Sequence, residues 1–182
     1  VEIFVGIPSV VYGWIGLTIL VPLIKNIFNL RFGFSVLAAG IVLAVMIFPT
    51  ITSLAADALR SIPKSYRAAS YGLGATRWQT IAKVVVPAAV TGLMTAVILG
   101  LARAFGEALA VAMVIGKMRA FPTSILSPTN NLTAAIAADM GGAMEGSEYN
   151  IALWTMALLL FIISLACIFT IHCLGNKGGE KA

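Results

Sequence analysis

Residues 34–54 form a run of 21 positions without a single Asp, Glu, Lys or Arg. As a helix rising 1.5 Å per residue, such a run is about 31 Å long, the thickness of a bilayer's hydrocarbon core. Apolar runs of comparable length cover 8–24, 81–102 and 150–172. Backbone N–H and C=O groups find no water partner at that depth, so each run is expected to be a helix. The whole chain agrees: 60% of its residues are apolar, 10% are charged, and the mean hydropathy is +1.00. A soluble domain has roughly 25% charged residues. The expected fold class is therefore an all-α integral membrane protein in a lipid bilayer, with four spans in one transmembrane domain.

The other counts exclude more than they assign. The net charge of +5 comes from cations at the ends of the runs, as the positive-inside rule expects, and gives no sign of nucleic acid. Cys167 and Cys173 lie six apart in one apolar run, without metal-ligand or CxxC spacing, and read as packing residues; no metal and no cofactor is implied. His172, alone at the end of that run, reads as an interfacial residue. No GxxxxGK[ST] loop is present, so ATP hydrolysis is not expected of this chain. The first residue is Val1 and no basic leader precedes the apolar start, which suggests a piece of a longer chain with earlier spans.

Each run carries its own punctuation. Pro8 suits a helix start, Pro22 is expected to kink or end the first span, and Gly13 and Gly16 allow close helix packing. Pro49 lies inside the second span, where neighbours must satisfy the freed carbonyl. The run from Ile81 to Gly116 is too long for one crossing, about 54 Å as a helix, so it must break, with Gly100 and Gly106 as weak points. Either 81–102 spans and 106–116 is a shorter external or re-entrant helix, or the run is a tight hairpin; the first is preferred. Residues 117–148 read as a loop with a short helix near 133–140 capped by Asn130 or Asn131, and the tail from Gly175 reads as polar and irregular. Seven cations (Arg60, Lys64, Arg67, Arg77, Lys83, Lys177, Lys181) against four (Lys25, Arg31, Lys117, Arg119) put 55–83 and the C-terminus in the cytoplasm.

Between the second and third spans lies the stretch from Pro63 to Thr80, too polar for hydrocarbon. Pro63 can start a helix over about 63–74, with Ser61 as a possible cap. Tyr66, Ala68, Ala69 and Leu73 give it a narrow apolar face, and Gly74 suits a left-handed C-cap. On spacing alone this is either a helix laid in a partner's groove or one that anchors a loop on lipid headgroups.

At these residues the chain resembles the permease subunits of ABC importers. Their loop signature is E-A-A, three residues, G, nine residues, I-x-L-P. Here Ala68-Ala69-Ser70 takes the E-A-A place, Gly74 the glycine, and Val84-Val85-Val86-Pro87 the end. The acid is replaced by Ala68, the second alanine by Ser70, and I-x-L by three valines. Gly6-Ile7-Pro8-Ser9-Val10-Val11-Tyr12-Gly13, Leu73-Gly74-Ala75-Thr76-Arg77-Trp78 and Ala102-Arg103-Ala104-Phe105-Gly106-Glu107 are similar to the phosphate-specific (Pst) permeases. Ala110 to Gly116 and Ser124 to Pro128 resemble the C-type member of that system. The resemblance implies a permease-type helical bundle in a bacterial or archaeal cytoplasmic membrane, with no catalytic residue of its own. It implies ATP-binding cassette ATPase subunits docked on an interfacial coupling helix through Lys64, Arg67, Ala68, Ala69, Ser70, Gly74 and Arg77. It further implies a second, A-type permease and an external phosphate-binding protein.

Arg103 and Glu107 stand at i and i+4 and share a face if the helix continues through Gly106. Charges at membrane depth face protein or water, and a guanidinium suits phosphate oxygens. Arg103 is expected on the anion path, with Glu107 its partner; the alternative is a structural ion pair at the membrane edge. Asp139, Glu145 and Glu148 are acids of the outer loop that either meet a binding protein or are merely solvated. A permease for another oxyanion such as molybdate or sulfate, and a non-transporting membrane sensor, are the competing readings.

Overall fold

The computed structural model describes residues 6–179, with side chains to residue 170. All regular elements among these residues are helical. Four helices are long and apolar enough to cross a membrane: α1, Ser9–Ile27; α2, Val36–Arg60; α4, Arg77–Gly106; and α7, Glu148–Gly179, over its Glu148–Thr170 part. Three short helices lie between them: α3, Lys64–Gly72; α5, Leu109–Val114; and α6, Leu132–Asp139. His172, Cys173, Lys177 and Lys181 lie outside the described side chains.

Pro22 does not end α1. A π-helical turn over Gly16–Leu20 precedes it, and α-helix resumes over Val21–Ile27. A wider turn absorbs the carbonyl that a proline ring would otherwise strike four residues back. The same device recurs in α4, where π-helical Ile81–Val85 precedes Pro87. Pro49 sits buried within continuous α2.

The long third run breaks at Gly106, and Gly100 stays helical. α4 holds 30 residues, about 45 Å of helix. It starts at Arg77 and ends at Gly106, four residues beyond each end of the expected 81–102. After the break α5 turns back into the bundle, with Ala110, Val111 and Val114 at 1% exposure or less. It packs on α1 and α2 and completes a core with Val21, Ile24, Ala38, Ala39 and Val42. The polar tail expected from Gly175 continues as helix to Gly179.

Glycines set how closely these helices approach. A Cβ at Gly13 would stand 2.8 Å from the Ala110 Cα, so α5 seats directly on the backbone of α1. A Cβ at Gly100 would stand 2.4 Å from Ile51, where α4 crosses α2. Lipid offers no hydrophobic drive for helix association, so small residues that admit such contact are what hold a membrane bundle together.

The start of α2 is capped by the segment beyond α5. A helix leaves its first N–H groups without intrahelical partners. Here Val36 N donates to the Ser127 carbonyl at 3.2 Å and Leu37 N to the Ile125 carbonyl at 2.9 Å. Ala38 N donates to the side chain of Ser35, itself fully buried. The chain around 115–131 is thereby fixed across the end of the bundle, with Thr129 N donating to the Ile115 carbonyl.

Candidate docking surface and outer corner

Helix α3 begins after Pro63 without a side-chain cap. Ser61 does not supply one: its hydroxyl donates back to the Ala58 carbonyl at 2.8 Å. The C-terminus closes as a Schellman motif. Ala75 N donates to Ser70 O at 3.2 Å, Gly74 N donates to Tyr71 O at 2.9 Å, and Gly74 takes φ +80°. That left-handed conformation is the reason a glycine stands there. Two residues on, Thr76 and Gln79 form a capping box that starts α4, worth about 1 kcal/mol.

Five of the seven expected docking residues, Lys64, Ala68, Ala69, Gly74 and Arg77, lie on the surface. Arg67 is half-buried and Ser70 buried. The Ser70 hydroxyl meets that of Thr80, which is also buried, at 2.9 Å. The serine standing in place of the signature's second alanine therefore ties α3 to α4. Arg67 Nη2 donates to the Leu59 carbonyl at 3.1 Å, capping the last turn of α2. The stretch from Pro63 to Thr80 is tied to both spans it joins, while Leu73 is 89% exposed and Trp78 76%. Between α3 and the first turns of α4 lies a cleft of about 810 Å³, lined by Tyr66, Ala69, Leu73, Gln79, Lys83 and Val84 among others.

The other end of α4 carries Arg103, exposed on the last helical turn. It does not pair with Glu107. The helix ends at Gly106 and Glu107 is extended (φ −76°, ψ 116°), so the two do not share a helical face. No ion pair joins them among the described residues. Instead Glu107 Oε1 accepts from Ala110 N at 3.0 Å, capping α5. A carboxylate at a helix start satisfies a free donor and suits the helix dipole. The Glu107 carbonyl accepts from the Thr133 hydroxyl at 2.9 Å and from Asn131 Nδ2 at 3.4 Å. Asn131 also caps α6, accepting from Ala134 N at 2.7 Å.

At the far end of α6, Asp139 is not free to meet a partner. It accepts from Arg119 Nη2 at 3.0 Å and from the Tyr149 hydroxyl, and the Arg119 guanidinium lies 4.4 Å from the Tyr149 ring centroid. The Tyr149 hydroxyl, then Arg119 and Lys117, hold the Asp139 carboxyl below its usual range against the opposing effect of burial. Glu145 and Glu148 are exposed. The capping box of Thr76 and Gln79 was open to detection, since T-x-x-Q before an apolar run is a known helix start. Asn131 was marked locally as a helix cap, but nothing local marks Thr80, Thr133 or the bond from Asn131 to Glu107, whose partners lie 10, 26 and 24 residues away.

Residues 1–174 match the family described as "Binding-protein-dependent transport system inner membrane component". The "Probable ABC transporter permease protein YqgH" of Bacillus subtilis (strain 168) is 56% identical over 177 residues, covering 97% of this chain and 57% of that protein. The "Phosphate transport system permease protein PstC" of Haemophilus influenzae is 37% identical over 183 residues, covering 90% of this chain and 58% of its own. "Phosphate transport system permease protein PstC 1" of Mycobacterium tuberculosis is 35% identical over 187 residues, covering 90% and 55%. The chain thus spans little more than half the length of the curated relatives it matches. No solved structure matches it. Four membrane-length helices, an interfacial helix between the second and third, and a family match along nearly the whole chain lead to one conclusion: this chain belongs to the binding-protein-dependent transport system inner membrane components, the multi-pass permeases of ABC transporters.

Proposed function

We propose that this chain is part of the C-type permease of an ATP-driven phosphate importer. Its partners in that reading are two ATPase subunits on the cytoplasmic side, an A-type permease beside it and a phosphate-binding protein outside. The observation that carries the reading lies on one helix. α4 borders the uncovered surface of α3 at its first turns and carries, at its last, a guanidinium without an ion-pair partner among the described residues. Nineteen uncharged residues, 84–102, separate Lys83 from Arg103, about the 30 Å of a hydrocarbon core. Arg103 then stands at the outer edge of the membrane, where its planar donor fork suits phosphate oxygens. Glu107 shapes the path by holding α5 in place, which keeps a carboxylate that would repel phosphate occupied elsewhere. The phosphate-transport names of relatives 34–37% identical support the choice of anion.

Leu73, Tyr66 and the alanines of α3 form the seat for the ATPase subunit. ATP binding closes that subunit pair, and the free energy reaches the spans as differential affinity for two arrangements of the bundle. The ties through Arg67 and through Ser70 carry displacement of α3 into α2 and α4 together.

The test is labelled-phosphate uptake by the full assembled transporter in proteoliposomes, with ATP hydrolysis recorded in parallel and sulfate and molybdate as competitors. Arg103→Gln should lose uptake while hydrolysis and assembly persist. Leu73→Ser should lose co-purification of the ATPase while the permease still inserts. Uptake blocked by sulfate or molybdate as readily as by unlabelled phosphate would reject phosphate as the substrate.

A further inference from the structure

The end of α4 at Gly106 is held by a polar knot that joins it to α5 and α6. Glu107 is the corner between α4 and α5, and both of its ends are engaged. The carboxylate caps α5 at Ala110 N, and the main-chain carbonyl takes the Thr133 hydroxyl at 2.9 Å and Asn131 Nδ2 at 3.4 Å. Asn131 Nδ2 also donates to Thr133 Oγ1 at 3.0 Å, and Asn131 Oδ1 caps α6. These are groups of the first turn of α6, so the helix is clamped to the corner at its start. At its other end Asp139 is held by Arg119 and Tyr149, the latter on the first turn of α7. Ala134 and Ala135 are buried between these two fixings. α6 is a strut of eight residues, about 12 Å long, fixed at one end to the last span and at the other to the corner.

We propose that Thr133 and Asn131 are positioning residues of the anion path: through the Glu107 carbonyl they set the last turn of α4, and with it Arg103. This rests on the reading of Arg103 given above. The chemistry favours a role in placement over one in contact with substrate. Glu107 N closes the last turn of α4 on the Ala104 carbonyl at 3.2 Å, one residue past Arg103. Rotating the corner therefore rotates the turn that aims the guanidinium. A hydroxyl and an amide that share one carbonyl acceptor fix that carbonyl in two directions. An anion passing a single cation is sensitive to such placement, since misplacement on the order of 1 Å can cost two orders of magnitude in rate.

The experiment uses the full assembled transporter in proteoliposomes, comparing wild type, Thr133→Val, Thr133→Ser, Arg103→Gln and the Thr133→Val/Arg103→Gln double variant. Valine matches the shape of threonine without the donor; serine keeps the donor. Phosphate uptake is read over a range of delivered phosphate, with ATP hydrolysis in parallel. Thr133→Val should lower maximal uptake about tenfold with hydrolysis retained, and Thr133→Ser should restore most of it. The double variant should be no worse than Arg103→Gln alone, because Thr133 acts through Arg103. Wild-type uptake in Thr133→Val, an equal loss in Thr133→Ser, or losses that multiply in the double variant would each overturn the inference. Absence of phosphate uptake by the wild type would instead reject the phosphate reading, and this inference with it.

Discussion

The two ends of α4 solve the same problem in opposite ways. At its start, three polar side chains turn inward and two large apolar ones stay out. Ser70 and Thr80 bond each other, Arg67 caps α2, and Leu73 and Trp78 are left uncovered. At its end, polar groups consume one another across four elements. Glu107, Asn131 and Thr133 form one knot, Arg119, Asp139 and Tyr149 another, and Ile125 and Ser127 cap the start of α2. That end is knotted by its polar groups, yet Phe121 and Met144 stay uncovered there as well. At the start of α4 the ties run through Ser70, Thr80 and Arg67 while Leu73 and Trp78 remain exposed. Both ends of α4 are thus tied to neighbouring elements, by different sets of contacts.

The contrast is broken most severely at Gly116. It lies at φ +100°, and an added Cβ would stand 2.7 Å from Pro128 Cβ and 3.0 Å from Phe34 Cβ. Gly116→Val should destabilise the permease by about 3 kcal/mol, combining backbone strain with overpacking. At the inner end, Gly72 is helical with nothing within 4 Å of its Cβ position. Gly72→Ala should therefore be neutral or stabilising by up to about 1 kcal/mol. Thermal unfolding of the detergent-solubilised full permease separates the two. Equal effects would mean the outer segment is no more tightly specified than the inner one.

A smaller effect probes the tie between α3 and α4. Thr80→Val leaves the buried Ser70 hydroxyl without its partner and should cost about 1–3 kcal/mol. Adding Ser70→Ala removes the orphan and should recover most of that loss. If the tie also carries movement, the double variant will be stable yet consume more ATP per phosphate in the assembled transporter. Additive destabilisation of the two changes would show that the hydroxyls are not one unit.

The helices were legible because lipid imposes length and composition on every crossing, and because Gly74 marks a turn whose φ few other residues accept. Ala68, Ala69 and Gly74 stand at positions of a spaced signature and are exposed. What the sequence concealed depends on contacts between distant residues. Arg103 and Glu107 looked like a helical pair, but that spacing holds only within an unbroken helix, and a carboxylate capping α5 competes for the same side chain. Ser70 looked like surface because its partner's burial is set by how α3 lies against α4. Pro22 was expected to kink or end its span, and the π turn that accommodates it leaves no composition mark.

The outer clasp gives the smallest effect and the sharpest sign. The Tyr149 hydroxyl, then Arg119 and Lys117, lower the Asp139 carboxyl below the usual 3.8. A group whose value is depressed on folding contributes stability that is fully present above its unfolded value. That contribution is lost as pH falls through the lowered one. The clasp should therefore hold unchanged from neutral pH down to about 5 and weaken progressively in stronger acid, as the unfolded carboxyl takes up its proton first. Arg119 is largely exposed, so screening keeps the contribution modest. Thermal midpoints of wild type and Asp139→Asn, followed against pH, give the check. The gap between them should stay constant from pH 7 to about 5 and close only in stronger acid. A gap that closes already above pH 5 would mean that the carboxylate is not held by its hydrogen bonds, and that α6 is fixed at the Glu107 corner alone.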